Sequence, residues 1–169
     1  MKIISKLKKI RSLMNEQSID CYLIPHTDEF SNEFLPRYSR RLEWISNFSG
    51  SAGDIIITKT RAYLFVDGRY IIQASQEVDK SIYRIFNYKD KTIHDLLSKI
   101  AKDNFVIGFD GNIETYNKVQ VLQKKLGKSV IVKPIHNNLI DLIWKNRPKK
   151  TISIPFELPM IFHGQNKSE

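Results

Sequence analysis

Two apolar runs close in the same way. Ala62 to Val66 leads into Asp67-Gly68, and Phe105 to Phe109 leads into Asp110-Gly111. Carboxylates at neighbouring strand ends can hold divalent metal ions for phosphoryl transfer, the arrangement that a two-metal nuclease requires. Asp-Gly is equally ordinary turn chemistry, which needs no ligand. His26, Asp28 and Glu29 add donors in one short stretch, but nothing in the order of residues carries them to either aspartate. Arg69 follows Asp67-Gly68 and precedes Tyr70; its fork could clasp a carboxylate in two places, or pair with Asp67 and pin its own turn.

Other reactive patterns do not assemble. The four histidines, His26, His94, His136 and His163, show no HxxxH or HExxH spacing. Ser46, Ser49 and Ser51 sit in no GxSxG elbow. The single cysteine, Cys21, lies inside the apolar run Asp20 to Pro25 and reads as a small buried hydrophobe, and one thiol rules out an internal disulfide framework. Gly50-Ser51-Ala52-Gly53 offers consecutive backbone N–H groups, yet it leads into a strand, whereas a phosphate loop leads into a helix. Its glycines are expected to let the chain turn tightly.

The elements that must position these residues centre on Arg40 to Tyr70. There an aromatic segment, Trp44 to Phe48, is followed by two apolar runs, Gly53 to Thr58 and Ala62 to Val66, split by Lys59-Thr60-Arg61, which is a hairpin signature. Upstream, Ile3, Leu7, Ile10 and Met14 recur at helical spacing with lysines on the other face, and Asp20 to Pro25 reads as a buried strand. Between them and the hairpin, a helical turn is expected at Asn32 to Leu35 and a helix near Ser39 to Asn47. Downstream, helices are expected from Gly68 to Val78, after Thr92, after Thr115 and from Asn138 to Lys145. Strands are expected at Ile82 to Asn87, Asn104 to Phe109 and Ser129 to Pro134. This alternation around a hairpin predicts an α/β domain, a mixed β-sheet flanked by helices on both faces.

With 169 residues, 41% hydrophobic and 27% charged, the chain suits one compact domain. No run approaches the roughly 20 apolar residues of a membrane span, and lysines interrupt the N-terminal segment, so a cytoplasmic protein is expected. The net charge of +9 invites a nucleic-acid reading, but the basic residues are scattered and no recognition motif accompanies them, so neither nucleic acid nor membrane is expected as a partner. From Pro148 the periodicity stops, and Pro155 and Pro159 punctuate the remaining residues. The division expected is a domain over 1–147 and a linker-like tail over 148–169, which either lies on the surface through Phe156, Leu158 and Phe162 or is mobile.

The ordered run HTDEFSNEFLPRYSRRLEWISNFSGSAGDIIIT, residues 26 to 58, followed by AYLFVDGRY, residues 62 to 70, resembles the N-terminal domain of Xaa-Pro aminopeptidases (aminopeptidase P), of the creatinase/prolidase N-terminal family. The likeness continues to NLIDLIWKNRP, residues 138 to 148, and into Pro155 to Gly164. The resemblance implies a ribonuclease-H-like topology. It also implies a separate pita-bread catalytic domain that binds two divalent metals, typically manganese, and cleaves before a penultimate proline. None of that domain's ligand motifs can be placed on this sequence, so no catalytic or metal residue and no cofactor is assigned to it. What the family implies instead is a non-catalytic domain, from a truncated or split product, that makes subunit contacts or shapes the active-site entrance. The candidate contact surface is then His26, Asp28, Glu29, Arg40, Arg41, Arg69 and Tyr70. The expected partner is a separate catalytic domain or a second copy of the chain; a free-standing interaction module or a degenerate remnant is the alternative, ahead of a nuclease.

Overall fold

The structure, a computed structural model, describes residues 1–150 and 154–164, the side chain of His163 excepted. Six strands form one sheet: β1 (Cys21–Pro25), β2 (Gly53–Thr58), β3 (Ala62–Val66), β4 (Tyr83–Asn87), β5 (Val106–Asp110) and β6 (Ile131–Ile135), in the order β4-β3-β2-β1-β5-β6. β2 pairs antiparallel with β1 and β3, whereas β3–β4, β1–β5 and β5–β6 are parallel. Five strands therefore run one way and β2 alone opposes them, so the sheet is mixed, as the alternation of elements predicts.

Helices cover both faces. On one side α1 (Ile3–Glu16), α2 (Arg41–Ser46), α3 (Ile71–Glu77) and α6 (Leu139–Ile143) bury Leu7, Ile10, Met14, Leu42, Ile45, Ala74, Leu139 and Ile140 against Tyr22, Ile24, Ile55, Ile57, Leu64 and Val66. On the other, α4 (Ile93–Ile100) and α5 (Tyr116–Leu126) lie over Cys21, Ile56, Tyr63, Phe65 and Ile107. The two clusters take alternate residues of the same strands, the period-2 consequence of the pleat. α3 and α5 are the crossovers that parallel neighbours require.

The helix starts carry chemistry readable in the sequence. Thr92 accepts from Asp95 N while the Asp95 carboxylate accepts from Thr92 N, a capping box, and Thr115 caps α5. Two local expectations need correction, and a third gains its physical reason. Residues 32–35 form no helical turn; the turn lies at Arg37–Ser39, because Pro36 disfavours helical backbone at the residue before it. Lys6 is not on the solvent face of α1: it is buried, donates to Trp44 O and lies 4.2 Å from the Trp44 ring centroid. Gly50 and Gly53 do not adopt positive φ. They are needed for space, since a Cβ on Gly50 would come within 2.3 Å of Phe48 Cζ and one on Gly53 within 2.9 Å of Phe65 O.

Past the last helix of the sheet layers, Arg147 Nε donates to Tyr38 O at 2.8 Å and Lys150 pairs with Glu29, so contacts with the domain reach Lys150. Of the tail, residues 151–153 and 165–169 lie outside the described residues. Phe156 stands exposed, as does Phe162 within a short helix, α7 (Met160–His163).

Candidate functional site

Because five strands share a direction, their C-terminal ends and the turn before β2 gather along one edge of the sheet. Every predicted contact residue lies on or beside that edge, but they do not form one site. The loop after β1 is knotted around Asp28, which is buried: Oδ1 accepts from Phe30 N and Asn32 N and Oδ2 from Asn32 Nδ2, each at 3.0 Å. Burial works to raise this carboxyl, but the three donors outweigh it and hold it below its ordinary value. His26 sets its ring Nε2 3.2 Å from Glu33 O, Glu29 pairs with Lys150, and Arg40 Nε donates to Leu35 O at 3.0 Å.

Arg41, expected as a contact point, is instead a strut. It is only 6% exposed, and its Nε and Nη2 donate to the two Asp141 oxygens at 2.8 and 2.9 Å. Glu29, Arg41 and Asp110 share a cleft with His136, Asn138, Asp141 and Arg147. The Arg41 Nη1 atom is buried there without a hydrogen-bond partner among the described residues.

At the other end of the edge, Asp67 Oδ1 accepts from Arg69 N at 2.9 Å and Arg69 Nε at 3.0 Å, so Arg69 pins its own turn while remaining exposed. Tyr70 sets its hydroxyl 2.8 Å from Ser51 Oγ and its ring edge-on to Phe48, with centroids 5.9 Å apart. Asp110 likewise serves a turn and a cap: Oδ1 accepts from Asn112 N at 2.9 Å and Oδ2 from Asn138 Nδ2 at 2.8 Å. Strands β3 and β5 are not neighbours. With β2 and β1 between them, three inter-strand steps of about 4.8 Å put the two aspartates roughly 14 Å apart, too far to share metals as a nuclease would need. Among the described residues no three His, Cys, Asp or Glu side chains gather closely enough to hold a metal ion.

A second cleft was not anticipated. It opens between α4 and α5 over the middle of the sheet, with Leu23, Phe109, Leu122 and Val132 among its walls and Asp54, Glu114 and Tyr88 lining it. The Tyr88 hydroxyl donates to Asp54 Oδ2. Burial raises the Asp54 carboxyl, against the Tyr88 hydrogen bond and the charges of Lys118 and His26. Burial likewise pushes Glu114 up to about 7, with Lys118 opposing and the charges of Asp54 and Asp110 adding to the rise. One signal was present in the sequence: in a strand where Ile56 faces α4 and α5, position 54 must face the same way. Glu114 left no such trace, because it lies in the turn between β5 and α5.

These features define a mixed-sheet α/β domain in which the described residues assemble turns, caps and struts along the strand-end edge of the sheet. The chain belongs to the Creatinase/Prolidase N-terminal domain family, whose pattern matches residues 6–143. It is 33% identical over 166 residues to a protein named Probable Xaa-Pro aminopeptidase P from Laccaria bicolor, covering 95% of this chain and 26% of that one. A protein of the same name from Coprinopsis cinerea is 34% identical, with 97% and 27% covered. The chain thus spans about a quarter of the length of these curated relatives. Among solved structures, the X-prolyl aminopeptidase of Caenorhabditis elegans, described as a cytosolic enzyme with a di-nuclear active site, superposes with a TM-score of 0.82 at 31% identity, over 88% of this chain and 26% of that one. The N-terminal domain of the cytoplasmic peptidase PepQ from Mycobacterium tuberculosis shares the fold at 19% identity and a TM-score of 0.62, over 82% of this chain and 98% of that one. Among the described residues no helix is long and apolar enough to cross a membrane.

Proposed function

We propose that this chain serves as the non-catalytic N-terminal domain of a metal-dependent Xaa-Pro aminopeptidase, and that it acts by docking on the catalytic part and shaping the entrance used by peptides with a penultimate proline. The observation that carries this reading is the superposition on one quarter of the Caenorhabditis elegans enzyme at 31% identity. The di-nuclear chemistry then belongs to the catalytic part, and the protein works in the cytoplasm, as that relative does. On the sheet edge Glu29, Arg40 and Arg69 offer exposed surface for docking and His26 and Tyr70 are half-buried, with Ile154, Phe156 and Phe162 exposed beyond it. Buried Arg41 and Asp28 support that surface from beneath.

Mixing the chain with a separately expressed catalytic part of a relative tests this. The expected result is a complex at micromolar concentration with a changed KM for a penultimate-proline peptide. Absence of any complex would overturn the docking role in favour of a free-standing module. The exposed apolar residues of the tail are the observation that favours self-association as a second reading, and light scattering of the chain alone separates monomer from dimer.

A further inference from the structure

The cleft between α4 and α5 carries a ligand chemistry that the docking role does not use. Its volume is about 450 Å³, within the roughly 300–1,000 Å³ of small-molecule sites. It opens beside the C-terminal ends of the central strands, where open α/β sheets commonly bind ligands. Between the two helices Leu23 stays only half covered although it lies on the second strand-facing apolar layer.

The polar groups are arranged unevenly along this cleft. Asp54 and Glu114 line one end, and the field of Asp110 reaches Glu114. The cations whose charge acts on those carboxyls are Lys118, on both, and His26, on Asp54. Lys125 and His94 also line the cleft, but Lys125 lies two helical turns beyond Lys118, about 10 Å along α5. Among the described residues Asp54 accepts one side-chain hydrogen bond, from Tyr88, and Glu114 accepts one from the Thr115 backbone and forms no ion pair. A carboxylate offers about four acceptor sites, so this end holds unfilled acceptors beside apolar walls. An ammonium group brings three donors and no acceptor, and a hydrocarbon or aromatic body suits the walls.

We propose that this cleft is a binding site for a small amphipathic primary amine, its ammonium held between Asp54 and Glu114 and its apolar body against Leu23, Phe109, Leu122 and Val132. The interaction needs ionised carboxylates, so affinity rises with pH as Glu114 loses its proton.

Titrating the isotopically labelled chain with phenethylamine, followed by NMR, tests the assignment. The expected result is saturable shifts confined to the cleft, with 2-phenylethanol at least about tenfold weaker, the value of one charged hydrogen bond. Affinity rises about tenfold between roughly pH 6 and pH 8 in the native chain. Glu114→Gln weakens binding about tenfold and flattens that profile, while His26, His94, Lys118 and Lys125 are untouched by the substitution. Asp54→Asn, which keeps an acceptor for Tyr88, weakens binding as well. Failure to saturate in the millimolar range, equal affinity for the alcohol, or unchanged affinity in either well-folded variant would overturn the proposal.

Discussion

Arg41 and Asp141, 100 residues apart in sequence, meet fork to fork, with Nε–Oδ1 at 2.8 Å and Nη2–Oδ2 at 2.9 Å. The pair ties α2 to α6, beside the stacked rings of Trp44 and Trp144, whose centroids are 5.2 Å apart. Arg147 Nη1 shares the same carboxylate at 2.7 Å. This sharing makes the two partners unequal. Asp141→Ala orphans the buried Arg41 guanidinium and also removes the ion pair of Arg147, which keeps its bond to Tyr38 O, and should cost about 3–5 kcal/mol. Arg41→Met leaves Asp141 paired with Arg147 and should cost clearly less. Urea unfolding of the two variants checks the order; equal losses would mean that Arg147 contributes nothing to holding Asp141.

Gly50 is a test of space in the turn before β2. An added Cβ would meet Phe48 Cζ at 2.3 Å and Tyr70 Cδ1 at 2.8 Å, and Phe48 is fully buried. One ring of the edge-to-face pair must therefore move, and overpacking of this kind costs about 1–3 kcal/mol. Gly50→Ala should lower the thermal midpoint and shift the Tyr70 ring resonances. If stability held while those resonances stayed in place, the turn would be looser than the geometry indicates.

What could be read in advance was whatever rests on local pattern. The period of Leu7, Ile10 and Met14 placed α1, and Thr92 and Thr115 marked their helix starts. The ordered residues 26 to 70 pointed to the family, and Arg69 pairs with Asp67 as its position allowed. What could not be read depends on which strands become neighbours. Asp67 and Asp110 look alike in sequence, and only the order β3-β2-β1-β5 separates them. Arg41 looked like a surface cation because its partner lies 100 residues away. The Asp54–Tyr88 contact spans 34 residues and joins β2 to the residue just past β4, strands that do not pair with each other.

Cys21 opens β1, a central strand of the sheet, paired with Thr58 on one side and Ile107 on the other, and has no exposed surface. Burial raises its thiol well above the ordinary range, with the charge of Asp20 adding to the effect. The thiolate is the reactive form, so the native chain should resist iodoacetamide and label only as it unfolds. Labelling measured against urea concentration should follow the global unfolding curve. Rapid labelling in native buffer would show that β1 opens locally.

Glu114 sets a pH dependence that can be isolated. Its carboxyl is raised from an ordinary value of 4.5 to about 7 in the folded chain, chiefly by burial. Between those values the folded state binds more protons than the unfolded state, so stability falls as pH rises. The contribution is complete below about 4.5 and gone above about 7. Asp28 and Glu77 work in the opposite sense: burial tends to raise them, but hydrogen bonds hold both below their ordinary values. Their stabilisation is present at neutral pH and is lost as acid titrates them, below the window in which Glu114 acts. Glu114→Gln removes only the first effect. Relative to the native chain, the variant should therefore gain stability progressively from about pH 5 to pH 8 while keeping the same loss in stronger acid. Urea midpoints for the two proteins across that range check the sign, and parallel curves would mean that Glu114 is solvated in the native state.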